Sequence, residues 1–286
     1  MNMHKLYKSI YDSVVYTLPY KIVYFKALRR KHFRFQTLLT YPQTPIRAQI
    51  IYKIAHVLGY SITNNLRANA DVVMHFEDAT YKQADPSLLY LKDKYEIINY
   101  RCVDISKVNV DTIFQRIFGY SMSINPLIYE GTALKKSNLN GLRDMTTVTC
   151  PINTPEKDYV YQKIISNRLD QWEVEIRVPV YKQNIPFVYL RYRDAEDRFN
   201  RAKVRSTIGA VQDVFSPEEV DKLHQFCQGI GMDFGELDII RERDDGRIYI
   251  LDANDTPAGP LRSLSVEDKE LVLTTLCYTF EQTFCC

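Results

Sequence analysis

Two strand-like segments near the C-terminus, joined by a short acidic turn, constrain the fold more than any other feature of the sequence. Residues 236–242 read ELDIIRE and residues 247–254 read RIYILDAN. Between them lie Arg243 and then the turn residues Asp244, Asp245 and Gly246. A three-residue hairpin loop with glycine in the left-handed conformation is a common connection between two strands. The sequence therefore predicts a β-hairpin in this part of the chain.

The three-residue loop also predicts which residues of the hairpin face one another. It sets four opposed pairs: Arg243 with Arg247, Ile240 with Ile250, Asp238 with Asp252, and Glu236 with Asn254. Because side chains alternate along a strand, the carboxylates and the amide of the last two pairs fall on one face. Directly opposed Cβ atoms lie about 4.5–5.5 Å apart. A two-residue turn would instead scatter these polar groups over both faces.

The polar groups at the open end of the hairpin favour a metal site. Carboxylates this close together repel one another and raise each other's pKa unless a cation lies between them. Oxygen-only ligands suit Mg²⁺, which usually shares few protein ligands with substrate phosphates. In the alternative interpretation, Asp252 and Asn254 only start a turn at the strand end, and the carboxylates are solvated.

The same residues resemble the C-terminal core of the ATP-grasp superfamily, which includes D-alanine–D-alanine ligase, glutathione synthetase and synapsin. The resemblance rests on the segments GELDII, DGRIY and DANDTPAG. In that family an Asp on one strand and a Glu-x-Asn on the next bind two Mg²⁺ ions that bridge the ATP phosphates. Asp238, Asp252 and Asn254 match these three positions, with Asp252 standing where Glu is commoner.

The resemblance implies further contacts with ATP phosphates upstream, on the predicted strand 131–137. Alternation allows only one of Lys135 and Lys136 to face the site, and Lys136 is the better match. An ammonium group neutralises phosphate charge, although both residues can equally be ordinary surface lysines. The family's phosphate-covering loop corresponds to residues 138–146, which contain a single glycine, Gly141.

The segment 159–166 resembles the family's hinge strand, which contacts adenine. The resemblance implies adenine contacts from Gln162, Lys163 and Ile165, and the alternative is an ordinary core strand. Glu175 matches the acidic residue that binds the ribose hydroxyls.

Arginines on the next two predicted strands form a third group of candidates. Arg177 shares a face with Glu175, and Arg191 and Arg193 end the following strand, where the family often places an arginine against the γ-phosphate or acyl phosphate. Arg177 and Arg193 are therefore the implied catalytic residues, because an arginine fork stabilises the charge that develops in transfer. Alternatively, they are edge-strand residues that maintain solubility.

The implied fold class is α/β (α+β): an ATP-grasp fold that holds the nucleotide between two α+β subdomains and is preceded by a small α/β domain. We predict a basic aromatic arm at 1–35, the small domain at 36–105 and the grasp domain at 106–286, with a hinge near 159–166 and a C-terminal subdomain at 167–286. Strand and helix patterns support this division. The strands are predicted at 35–42, 70–76, 94–100, 131–137, 157–165, 173–181 and 185–193, and the helices at 46–59, 104–119, 216–231 and 265–284.

The N-terminal arm differs in charge from the rest of the chain. Residues 1–35 contain eight Lys and Arg against one Asp, although the whole chain carries a net charge of only +2. The arm either docks on an anionic membrane surface or acidic partner, or is a solvated basic helix interrupted by Pro19. Membrane docking would suit an envelope-polysaccharide or lipid-linked precursor carrying a uronic acid or amino acid. Nucleic-acid binding is not expected, because the basic excess is confined to this arm.

Composition excludes several other classes of protein. The six cysteines form no CxxC pair, which argues against a zinc ribbon or a disulfide framework. No signal peptide and no apolar run of membrane-spanning length is recognisable. We therefore expect a cytoplasmic protein, peripheral at the inner face of the membrane if the arm docks there, and a homodimer remains open.

Together these features predict an ATP-dependent carboxylate–amine ligase that uses ATP and Mg²⁺, as two ions, and forms an amide through an acyl phosphate. Such chemistry depends on positioning and charge stabilisation and needs no nucleophilic Ser or Cys. Two alternatives are a non-catalytic nucleotide-binding or scaffold protein on the same fold, which the glycine-poor loop favours, and a phosphotransferase.

Overall fold

The computed structural model describes residues 36–83, 85–142, 144–195 and 204–285, together with Lys26 and Arg29. Nearly all of the predicted arm, and with it the membrane or acidic-partner contact, lies outside the described residues. No described helix is both long enough and apolar enough to cross a membrane.

The described chain alternates short helices with three groups of strands. In chain order the elements are β1 (Gln36–Pro42), α1 (Ile50–Leu58), β2 (Tyr60–Thr63), β3 (Val72–Phe76), α2 (Pro86–Lys92), β4 (Ile97–Ile98), α3 (Lys107–Phe118), β5 (Gly131–Ser137), β6 (Thr146–Cys150), β7 (Tyr159–Lys163), β8 (Arg168–Leu169), β9 (Trp172–Tyr181), β10 (Val188–Asp194), β11 (Arg205–Gly209), α4 (Val211–Val214), α5 (Pro217–Ile230), β12 (Phe234–Arg241), β13 (Ile248–Asn254) and α6 (Val266–Phe284). The mixed α/β fold class is therefore confirmed.

The first sheet has the order β2-β1-β3-β4, and all of its pairings are parallel. Its two faces are covered by helices, α1 on one side and α2 on the other, as parallel sheets require. The sequence predicted partly parallel pairing and missed β2. Helix α1 ends where predicted, because Gly59 adopts φ +77° and its N–H caps the carbonyls of Ala55 and His56.

Two antiparallel sheets follow. The smaller has the order β6-β5-β7, and the larger has the order β11-β10-β9-β12-β13 with β8 beside β9. Helices α3 and α5 pack on one face of the larger sheet. Its other face shares a core with α6 and with the first sheet, through side chains such as Tyr181, Phe234 and Phe280. This second face also carries the candidate site residues, so the first sheet lies beside them.

Helix α5 begins as the sequence predicted. Ser216 is the N-cap: its hydroxyl accepts the N–H of Glu219 at 3.2 Å, and the Glu219 carboxylate accepts the N–H of Ser216 at 2.9 Å. Pro217 occupies the first turn, and Gly231 ends the helix with φ +77°. The predicted capping box is confirmed.

The hairpin register is as predicted at its open end and differs by one residue near its turn. Asp238 pairs with Asp252 and Glu236 with Asn254, but the sheet then continues with Ile239 opposite Ile250. The predicted pairs Ile240–Ile250 and Arg243–Arg247 are therefore wrong.

The difference arises because the loop contains four residues rather than three. The N–H of Glu242 donates to the carbonyl of Arg247 at 2.8 Å, and Gly246 adopts φ +71° within the loop. A β-bulge then leaves Leu251 without an opposed residue, which restores the predicted register. Two one-residue changes thus cancel before the strands reach Asp238.

Candidate nucleotide and metal site

The centre of the candidate site is the opposed pair Asp238 and Asp252, at the open end of β12 and β13. Oδ1 of Asp252 is buried and has no hydrogen-bond partner among the described residues. Burial, reinforced by the neighbouring Asp238, raises the pKa of Asp252 to about 7. A bound cation would stabilise the ionised form of this carboxyl group.

Arg177 of β9 lies on the other side of Asp238 and holds both of its carboxylate oxygens. Nε donates to Oδ1 at 2.7 Å and Nη2 donates to Oδ2 at 2.9 Å. Nη1 lies 3.5 Å from Oε2 of Glu236, which is 3% exposed. Burial raises the pKa of Glu236 to about 7, and Arg177 opposes that rise. The arginine implied to contact phosphate thus contacts carboxylates here.

Glu175 lies among three arginines of the same face. Its carboxylate accepts from Nη1 of Arg191 and, at 3.4 Å, from Nη2 of Arg193, while Nη2 of Arg177 lies 3.8 Å away. The structure therefore places Glu175 and Arg177 on one face, as expected from alternation, and brings Arg193 to the same carboxylate. Both carboxylate oxygens of Glu175, the residue implied to bind ribose, are already paired with arginine.

Asn254 has the contacts expected of a turn residue. Its side-chain oxygen accepts the N–H of Thr256 at 3.0 Å, and the Thr256 hydroxyl donates to Asp78 at 3.2 Å. The same hydroxyl also lies 3.4 Å from the Asn254 oxygen, but its one proton serves a single acceptor at a time. When it donates to Asp78, the amide oxygen of Asn254 keeps one of its two lone pairs for a further partner. The turn and the metal interpretations of Asn254 are therefore compatible.

The two candidate lysines of β5 lie in different surroundings. Lys135 pairs with Glu156 and lies 4.4 Å from the centre of the Tyr159 ring. Lys136 points the other way, and among the described residues its ammonium has no hydrogen-bond or ion-pair partner. Burial and the nearby charge of Lys107 lower the pKa of Lys136, whereas Asp252 raises it. Lys136 is thus the lysine placed near the acidic pair.

Lys107 is a candidate that the sequence analysis missed. It is the first residue of α3, and its ammonium donates to the carbonyl of Leu139 at 2.7 Å, with Oδ1 of Asn140 at 3.4 Å. Burial lowers the pKa of Lys107, and Asp252 raises it. One signal was present in the sequence, because the helix dipole disfavours a cation in the first turn of a helix.

The loop that follows β5 lies over the end of β13. Asn140 donates its side-chain amide to the carbonyl of Ala253 at 3.1 Å and its N–H to the hydroxyl of Thr80 at 2.8 Å. Asn138 donates to the hydroxyl of Tyr81 at 2.7 Å. Asparagine side chains thus anchor this glycine-poor loop to the end of β13 and to the segment that follows β3.

The predicted adenine residues divide into two kinds. Gln162 lies opposite Leu134 of β5, is 2% exposed, and its Oε1 has no hydrogen-bond partner among the described residues. The ammonium of Lys163 donates to the hydroxyl of Tyr249 at 2.8 Å, and its backbone N–H donates to a loop carbonyl. Ile165 is buried in the core beneath the larger sheet. Gln162 therefore retains an unused polar group, whereas Ile165 packs as a core residue.

The residues present fit a magnesium ion, although no complete set of acidic ligands is preformed. Among the described residues, no three His, Cys, Asp or Glu side chains are grouped to hold an ion. Two carboxylates and one amide, all oxygen donors, suit an ion that completes its shell with water and phosphate. The buried, unpartnered Oδ1 of Asp252 is the observation that supports this fit.

Comparisons with known proteins support the fold. No family model and no curated protein sequence matches the chain. Among solved structures, D-alanine–D-alanine ligase from Bacillus anthracis complexed with ATP aligns with 87% of this chain and 96% of that chain, at 12% identity and a TM-score of 0.54. The ATP-grasp ligase PsnB, complexed with minimal precursor, Mg and ADP, aligns with 86% of this chain and 96% of that chain, at 13% identity and a TM-score of 0.50.

At such low identities the similarity concerns the backbone alone. The resemblance stated from the sequence is therefore confirmed at the level of architecture, and the protein has the ATP-grasp fold.

Proposed function

We propose that the protein is an ATP-dependent ligase that joins a carboxylate to an amine. The observation that carries this proposal is that three sets of charged side chains lie close together. They are the opposed Asp238 and Asp252, the lysines Lys107 and Lys136, and the arginines of the larger sheet. Paired acids beside lysines that have no ion-pair partner among the described residues suit a metal–phosphate ligand, which carries both signs of charge.

Each group has a proposed role. Lys107 and Lys136 neutralise the phosphates of ATP, while Asp238, Asp252 and Asn254 hold magnesium, as two ions. Magnesium supplies further neutralisation of the phosphate charge when it is bound. Gln162, Lys163 and Ile165 remain the proposed adenine contacts, and Glu175 the proposed ribose contact.

The proposed reaction has two steps. An oxygen of the substrate carboxylate attacks the γ-phosphorus, and the bond to the bridging oxygen breaks, releasing ADP and an acyl phosphate. The amine nitrogen then attacks the acyl carbon, inorganic phosphate leaves with the bonding electron pair, and the nitrogen loses a proton. Arg177 and Arg193 stabilise the negative charge that develops on the transferred group.

Hydroxylamine tests this proposal without knowledge of the natural amine, because it converts an acyl phosphate into a hydroxamate. The protein would be incubated with ATP, Mg²⁺, hydroxylamine and panels of amino acids and uronic acids. We expect ADP release and hydroxamate formation to depend on one class of carboxylate. Asp252→Asn, which keeps the shape of the side chain, should reduce both by about 100-fold or more.

Other outcomes would favour the alternatives. Mg²⁺-dependent ATP binding without ADP release from any panel would favour a nucleotide-binding scaffold. A stable phosphorylated product that hydroxylamine does not trap would favour a phosphotransferase. Either result would contradict the ligase proposal.

A further inference from the structure

Arg177 holds both carboxylate oxygens of Asp238, which is one of the proposed metal ligands. Its Nε and Nη2 donate to the two carboxylate oxygens of Asp238 at 2.7 and 2.9 Å. Its Nη1 lies 3.5 Å from the buried carboxylate of Glu236. One guanidinium therefore faces two carboxylates of β12 and donates to both oxygens of Asp238.

Asp252 does not take part in this arrangement. Its buried Oδ1 has no hydrogen-bond partner among the described residues, although it belongs to the residue directly opposite Asp238. A divalent ion shared by the two carboxylates needs an oxygen from each. Each carboxylate oxygen of Asp238 keeps a second lone pair beside its arginine N–H. An ion bound there lies against the positive charge of Arg177, so arginine and metal compete for the charge of Asp238.

The competition is unfavourable for a metal ion that arrives alone. The side chains of Arg177 and Asp238 are 19% and 25% exposed, and breaking a mostly buried pair leaves an uncompensated charge. A metal ion replaces the lost charge for Asp238 but offers nothing to Arg177. A metal–phosphate ligand serves both, because phosphate oxygens match the fork of a guanidinium as well as a carboxylate does.

We propose that Arg177 is the resident counter-cation of Asp238, and that a divalent ion replaces it only when an anionic ligand takes the guanidinium. Arg177 is in this respect a positioning residue, which makes metal binding conditional on the nucleotide. The identity of that anion rests on the proposed function. The competition between arginine and metal does not, because it can be measured without any reaction.

Mn²⁺ is a suitable probe, since the free ion can be counted by its electron paramagnetic resonance signal during a titration without nucleotide. We expect Arg177→Gln to bind Mn²⁺ more tightly than the wild type, on the order of tenfold. The same variant should bind ATP in the presence of Mn²⁺ more weakly. These opposite signs distinguish competition from a structural role, which would weaken both.

Two variants control for charge and folding. Arg193→Gln removes an arginine from the same face that pairs with Glu175 at 3.4 Å, and no described ion pair joins Arg193 to Asp238. It should leave nucleotide-free Mn²⁺ affinity within about twofold of the wild type. The double variant with Arg177→Gln and Glu236→Gln removes one charge of each sign, so Glu236 is not left as an unpaired buried carboxylate. It should retain the tighter Mn²⁺ binding.

The result that overturns the proposal is nucleotide-free Mn²⁺ binding that is unchanged or weaker in both the single and the double variant. Tighter binding in either folded variant supports it. If Mn²⁺ binding tightens while the wild type forms no hydroxamate, the competition stands and only the ligase activity fails.

Discussion

The candidate site has two walls, the larger sheet on one side and α3 with β5 on the other. The positively charged side chains of the two walls have different partners. On the larger sheet, Arg177, Arg191 and Arg193 all lie against carboxylates. On the other wall, Lys107 donates to neutral oxygens, and Lys136 has no ion-pair partner among the described residues. The arginine wall is therefore electrically balanced, whereas the lysine wall is not.

This difference indicates which wall depends on a ligand. A partly buried ammonium without a counter-ion is costly, and burial lowers the pKa of both lysines accordingly. A network of arginines and carboxylates is stable without any ligand. We infer that an anion gains most from the lysine wall and that the arginine wall rearranges around it.

The largest effect is expected from Lys136→Met, which keeps most of the apolar stem and removes the charge. ATP binding should weaken by about 10- to 100-fold, because hydrogen bonds to charged groups contribute about 1.5–3 kcal/mol. Unfolding free energy should not fall, since Lys136 has no ion-pair partner to lose among the described residues. Calorimetric titration with ATP and Mg²⁺, together with thermal unfolding, measures both quantities.

Lys135→Met is the matched control, because Lys135 is adjacent to Lys136 on β5 and its ammonium pairs with Glu156, outside the site. Its ATP affinity should stay within about twofold of the wild type. Equal losses in the two variants would show that β5 contributes only general positive charge, and the contrast between the walls would disappear.

A second large effect concerns the pH dependence of stability at Asp252. Burial and Asp238 raise the pKa of this carboxyl from 3.8 to about 7. Between these pH values the native state holds a proton that the unfolded state has lost, so stability falls as pH rises through this window. Asp252→Asn cannot ionise, and without metal it should be more stable than the wild type by about 1–3 kcal/mol at about pH 8.

Denaturant unfolding of both proteins between about pH 4 and pH 8 tests this prediction, with the gain expected to vanish near the acidic end. Glu236 also has a raised pKa, so the quantity to compare is the difference between the two proteins. A difference that does not change with pH would mean that Asp252 is ionised throughout. Asp252 would then belong to the same balanced network of arginines and carboxylates as Asp238.

The hairpin shows how far local patterns determine this site. Alternation and the Gly246 turn were enough to place Asp238 opposite Asp252, but the number of loop residues was wrong. The correct pairing survived because the bulge at Leu251 compensates for the longer loop. Bulges depend on packing against neighbouring strands, so the sequence gives no direct sign of them.

Residues brought to the site from distant elements were harder to predict. Lys107 begins a helix, and its contact with the loop after β5 spans about thirty residues of chain. The pairing of Arg177 with Asp238 depends on which strand lies beside β12, and strand order is a tertiary property. Short strands such as β2 and β11 were missed because a few residues do not establish a period.

A smaller effect is expected from Asn140→Ala, which removes the hydrogen bond to Ala253 and the 3.4 Å contact with Lys107, and leaves the backbone bond to Thr80 in place. Loss of one such bond typically costs about 1 kcal/mol, so nucleotide release should become several-fold faster. Stopped-flow displacement of a fluorescent ATP analogue measures this rate. Leu142→Ala, at a residue 55% exposed in the same loop, should release the nucleotide at the wild-type rate. Equal rates in all three proteins would indicate that this loop does not cover the nucleotide.

The smallest effect should come from Arg193→Gln, and this variant tests the contrast from the arginine side. The Arg193 side chain is 43% exposed and already paired with Glu175, so an exposed pair of this kind contributes about 0–1 kcal/mol. ATP affinity should therefore change by less than about threefold. A loss as large as that of Lys136→Met would mean that Arg193 leaves Glu175 to bind phosphate. In that case the exchange of a carboxylate for the anion that we propose for Arg177 would extend to Arg193, and the balance of charge in the unliganded protein would not predict which arginines contact the ligand.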